Sequence, residues 1–248
     1  MVEESPPLIE DTMTIDGLKI GYCKYGHGPK LVLCICGAVG SYKKDWPVSV
    51  LKHFDPDFVT IICIDPPGYG TSRPPDRVQE VNRCKKDAAF CLKLMENLKL
   101  TPFTVIGWSE GGRTAMHVAA QGGPETIPPR TVLRLAKQHR ENVTIGLTKD
   151  QGDYVPRTPH GHARSLRSEL VYDFCGGRFP CDYVLPKITV PSLIMNGGQD
   201  RFCADPKTCF LSVLKNARLE VHAQGGHDFY IKYPKWFSEN VQKFLRED

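Results

Sequence analysis

The stretch TVIGWSEGGRTAMHVAAQ, residues 104–121, leaves few folds open to the chain that contains it. Its β-branched opening reads as a strand, and the periodic apolar residues beyond Gly112 read as a helix through about Ala120. Between them stand only Gly-Trp-Ser-Glu-Gly, with Ser109 at the tip and Gly107 and Gly111 two residues to either side. A strand that turns into a helix so abruptly brings backbone against backbone, where a Cβ at either glycine would collide. The serine must accept a strained conformation that lifts its hydroxyl above the end of the strand. A hydroxyl so placed is a poor nucleophile until a base takes its proton and an acid orients that base. The other two groups must come from elsewhere in the chain.

The flanking sequence provides a sheet for this turn. Residues 12–24 alternate around Asp16-Gly17 and predict an antiparallel hairpin. KLVLCIC (30–36), DFVTIICID (57–65) and FTVIGW (103–108) are continuous apolar runs, as strands covered on both faces require. PSLIMNG (191–197) and RLEVHA (218–223) repeat the pattern near the end. Apolar positions from Val78 to Leu98 share one helical face, and PKWFSENVQKFLRE (234–247) predicts a closing helix. Strands alternating with helices predict an α/β fold, a mostly parallel central sheet with helices on both faces. The rhythm breaks at residues 122–186, where the chain turns rich in Pro, Gly and Arg. Over 122–170 it carries eight Lys/Arg against five Asp/Glu. We read 1–121 and 187–248 as the core and 122–186 as a short irregular lid or cap insertion. A missing core strand is sought in RTVLRLA (130–136) or NVTIGL (142–147).

Two positions after Ser109 complete the chemistry, in the order acid then histidine that hydrolases of this architecture follow. Asp200 lies in LIMNGGQDRF and His227 in HAQGGHDFY, each on a glycine-marked loop beyond a strand. The carboxyl ends of strands are where open α/β sheets bind ligands. Asp150 and Asp153 are weaker candidates for the acid because no clear strand precedes them. Asp228, beside His227, reads as a solvent-facing or loop-capping residue. An oxyanion would need two backbone N–H donors: Glu110, at the head of the helix, and Ala38, in the loop CICGAVGSYKKDW. A carboxylate beside a nucleophile, as at Glu110, is costly unless a cation neutralises it.

Other functions find little footing. A net charge of +4 over 248 residues does not suggest nucleic acid. The longest apolar run, 31–40, is too short to cross a bilayer. MVEESPPLIED has neither a secretory nor a transit-peptide pattern, so a cytosolic protein is expected; its oligomeric state is left open, with a monomer favoured. The ten cysteines include no CxxC pair, and we expect them reduced. His160 and His162 have no partners at zinc spacing. No metal or cofactor is expected.

With these residues assembled, the chain resembles the α/β-hydrolase superfamily. More narrowly it resembles the valacyclovir hydrolase (biphenyl hydrolase-like) group of serine hydrolases. The likeness rests on LVLCICGAVGSYKKDW, IDPPGYGTSRPPDR, VIGWSEGGRTA, LIMNGGQDRF and GGHDFYIKYP. It implies a Ser109–His227–Asp200 triad, an oxyanion hole at Ala38 and Glu110, and small carboxylic esters as substrates. In that group an acid after the nucleophile, usually aspartate, binds the substrate's α-amino group. The resemblance therefore implies amino-acid esters, with Glu110 as the ammonium acceptor. The alternatives are a general carboxylesterase or carbon–carbon bond hydrolase with the same triad, or an idle hydrolase-fold binding protein.

Overall fold

The computed structural model describes residues 6–38, 40–77, 83–121, 131–133, 184–200 and 207–247. Eight strands form one sheet: β1 (Ile9–Ile15), β2 (Leu18–Tyr25), β3 (Lys30–Ile35), β4 (Val59–Ile64), β5 (Thr104–Gly107), β6 (Thr131–Leu133), β7 (Ser192–Gly197) and β8 (Ala217–His222). Their spatial order is β1-β2-β4-β3-β5-β6-β7-β8. The hairpin β1–β2 and the pair β2–β4 are antiparallel, and every later pair is parallel. The chain has the α/β-hydrolase fold.

The continuous apolar runs are explained by cover on both faces. In β3, Leu33 and Ile35 point into one core with Ala88, Cys91 and Met95 of α3 (Arg83–Asn97) and Ala115 and Met116 of α4 (Glu110–Gln121). Val32 and Cys34 point the other way, with α1 (Tyr42–Asp45), α2 (Val48–Leu51), α5 (Phe229–Lys232) and α6 (Pro234–Arg246). There Trp46, Tyr230 and Phe237 stack into an aromatic cluster, Trp46 and Tyr230 with ring centroids 5.0 Å apart. Neighbouring strand residues thus face opposite, equally dry layers, and period-2 alternation disappears from the sequence.

Of the two stretches considered for the missing strand, the first contains β6, which joins β5 to β7 through three residues on each side. NVTIGL (142–147) lies outside the described residues, as do Asp150, Asp153, His160, His162 and most of the expected lid. The first turn of the expected 78–98 helix, residues 78–82, also lies outside them. Cys23, Cys34, Cys36, Cys63, Cys84 and Cys91 are free thiols, and burial raises the pKa of Cys36 and Cys91 well above the usual range. No helix among the described residues is long and apolar enough to cross a membrane.

Two buried carboxylates hold the β3–α1 loop in place. Asp65, at the end of β4, accepts the N–H of Tyr42 at 2.7 Å and both the N–H and hydroxyl of Thr71 at 2.7 and 2.9 Å. Asp45 accepts the N–H of Gly37 at 2.9 Å and is 1% exposed. Burial raises Asp45 to a pKa of about 6, against the opposing pull of the Gly37 N–H. The folded state therefore binds this proton more tightly than the unfolded chain does. Its stabilising contribution is full below about pH 4 and is lost as pH rises through about 6. Urea unfolding should show Asp45→Asn gaining on wild type by roughly 1–3 kcal/mol between pH 4 and 7. A pH-independent difference would mean that Asp45 titrates normally.

Candidate active site

Ser109 sits between β5 and α4 with φ +55°, the left-handed region that costs a residue with a Cβ roughly 1–2 kcal/mol. The glycines explain how the turn closes. A Cβ on Gly111 would lie 2.4 Å from the Ile35 carbonyl oxygen and 2.5 Å from that of Cys36. One on Gly107 would lie 2.2 Å from the Gly111 carbonyl oxygen. The turn is held by hydrogen bonds from Gly111 N–H to the Trp108 carbonyl and from Gly112 N–H to that of Ser109.

The two later loops meet this turn from the far end of the sheet. Gln199 N–H donates to the Gly225 carbonyl at 2.8 Å, tying the loop after β7 to the loop after β8. Their closeness needs Gly197, whose Cβ would fall 2.3 Å from two carbonyl oxygens of the β8 loop. The consequence is a continuous polar line. His227 Nε2 lies 3.2 Å from Ser109 Oγ, and His227 Nδ1 lies 2.9 Å from Asp200 Oδ2. The Asp200 carboxylate is fully buried, while the imidazole is about a quarter exposed. With the ring proton on Nδ1 facing the carboxylate, Nε2 is left to accept from the serine hydroxyl. A line so arranged can draw a proton off a hydroxyl and hold the resulting imidazolium.

Trp108 braces this arrangement, a role the sequence reading did not give it. Its indole N–H donates to the His227 carbonyl at 2.9 Å, and its ring lies 5.4 Å from the imidazole. On its other side it fills the space beside Gly37, where a Cβ would come within 2.7 Å of the ring. The same Cβ position lies 3.3 Å from Ser109 Cβ, so the Gly37-Ala38 loop abuts Ser109. Ala38 lies in the turn closed by Gly40 N–H to the Gly37 carbonyl, and Glu110 heads α4. Asp228 is exposed and stands at the start of α5.

The carboxylate of Glu110 turns inward. It forms a buried ion pair with Arg83 and accepts from the Tyr69 hydroxyl at 3.4 Å. A second buried pair, Arg77 with Asp87, adjoins it, and the Arg77 guanidinium lies 4.6 Å above the Tyr69 ring. Sequence reasoning anticipated that a carboxylate beside the nucleophile needs a cation. It missed that α3 provides one, because Arg83 precedes Glu110 by 27 residues and follows no motif. Among the described residues no grouping of His, Cys, Asp or Glu has the shape of a metal site.

Comparison with known proteins accords with this geometry. A family model described as the alpha/beta hydrolase fold matches residues 30–138. The chain is 28% identical over 257 residues to the serine hydrolase BPHL of Homo sapiens, covering 94% of this chain and 85% of that protein. It is 26% identical over 219 residues to a 2-hydroxy-6-oxononadienedioate/2-hydroxy-6-oxononatrienedioate hydrolase of Pseudomonas sp, covering 75% and 76%. Among solved structures, a bacterial membrane phospholipase A superposes with a TM-score of 0.77 at 21% identity, covering 96% of this chain and 86% of that one.

Proposed function

We propose that this chain, which has the α/β-hydrolase fold and is similar to a serine hydrolase over 94% of its length, cleaves small carboxylic esters through an acyl-enzyme on Ser109. The observation that carries this reading is the Asp200–His227–Ser109 hydrogen-bonded line ending on a strained turn. Ser109 Oγ attacks the ester carbonyl carbon while His227 Nε2 takes its proton. Asp200 holds the imidazole in the required tautomer and balances its charge. The carbonyl oxygen, now an anion, receives the N–H groups of Ala38 and Glu110, assisted by the positive end of α4. The carbon–oxygen bond to the alcohol breaks, and His227 returns its proton to the departing oxygen. Water then attacks the acyl-enzyme and gives a proton to His227, which passes it to Ser109 Oγ as the acyl carbon–Oγ bond breaks and the acid leaves. None of these steps calls for a metal or cofactor, and the reading is of a protein working alone in the cytosol on a small molecule.

A fluorophosphonate probe tests the assignment directly. Wild-type protein should carry one phosphonyl group, located to the Ser109 peptide by mass spectrometry, and Ser109→Ala should carry none. Folded protein that never labels would favour the idle binding reading. A narrower version, in which Glu110 holds the ammonium of an α-amino-acid ester, would require that carboxylate to give up the ion pair it already makes with Arg83.

A further inference from the structure

We propose that Arg83 serves as the built-in counter-ion of Glu110, and that the site therefore takes esters with an uncharged acyl group in preference to ammonium-bearing ones. This rests on the serine-ester reading above and narrows it to a substrate class.

The pairing is deep. The side chains of Arg83 and Glu110 are 5% and 9% exposed, in direct contact, and the Tyr69 hydroxyl faces the other carboxylate oxygen. Arg77 and Asp87, 6% and 5% exposed, form the adjoining pair. Arg83 thus supplies a cation to Glu110, and Arg77 supplies one to Asp87. Burial works most strongly against the charge of Arg83, but the groups around it, Glu110 foremost, together keep the guanidinium more basic than usual. An ammonium arriving at Glu110 would meet a carboxylate already paired with a buried cation. To bond the carboxylate fully it would have to displace Arg83 and strand a buried guanidinium, which low-dielectric surroundings penalise heavily. An uncharged acyl group makes no such demand. Arg83 acts on specificity through its ion pair with Glu110.

The test compares kcat/KM for phenylalanine ethyl ester and for its N-acetyl twin, at a pH where the free amine is protonated. Wild-type protein should show no preference for the amine. Arg83→Met exposes the Glu110 charge, and the amine-to-acetyl ratio should rise about tenfold or more, the worth of a charge-assisted hydrogen bond. Adding Glu110→Gln to Arg83→Met should return the ratio to its wild-type value. A wild-type preference of tenfold for the free amine would overturn the inference, as would an unchanged ratio in folded Arg83→Met. Should Arg83→Met not fold, Glu110→Gln alone decides: an unchanged ratio supports the inference and a lowered one overturns it. Failure to cleave either ester, with Ser109 unlabelled by the phosphonate, removes the hydrolase reading and the inference with it.

Discussion

Ser109→Ala should lower kcat by about a million-fold on any ester the protein cleaves, the scale seen when a nucleophile acting as part of a triad is deleted. The fold should be untouched. Alanine keeps the Cβ, so the backbone strain at φ +55° is the same in both proteins, and only one hydroxyl, on a partly buried residue, is removed. Thermal unfolding should therefore superimpose on wild type while turnover disappears. Residual turnover within tenfold of wild type would show that another group attacks.

Asp200→Asn is expected to be nearly as damaging, with kcat down about 10⁴-fold and KM little changed. Its carboxylate is buried and 2.9 Å from His227 Nδ1. An asparagine of the same shape can turn its NH₂ toward Nδ1. That places the ring proton on Nε2, where it faces the serine hydroxyl as a second donor. The buried aspartate also offsets the charge of the imidazolium, and the amide cannot. Substrate binding makes no use of either property, so the loss should fall on kcat. A decline of less than tenfold would hand the acid's role to another residue.

Much of this architecture can be read without coordinates, for identifiable reasons. Strands β3, β4, β5 and β7 are buried on both faces and so announce themselves as apolar runs within one or two residues of their ends. Ser109, Asp200 and His227 were legible because each stands on a loop whose glycines mark close backbone approach. Strand β6 was harder: only three of its residues pair, too few for either periodicity to register. Trp108 lay in plain view within GWSEGG, yet indole contacts with Gly37 and the His227 carbonyl depend on loops distant in sequence. Arg83, Tyr69, Asp45 and Asp65 were missed for the same reason. A buried ion pair leaves no periodic trace, and its members look like surface charges until packing brings them together.

The line from serine to histidine spans 118 residues of sequence, and the indole clasp beside it spans 119. On the proposed reading, one half of the chemistry is thus laid down before residue 122 and the other after residue 184, with β6 seated between them. No segment of the chain carries a working site by itself. Turnover becomes a reporter of the closed sheet, silent in any state where β7 and β8 have yet to dock. For anyone engineering this protein, loss of activity alone says nothing of which residue was harmed. A strand on the far side of the molecule can extinguish the reaction as completely as the nucleophile can, and only the phosphonate label and the unfolding curve together tell the two apart.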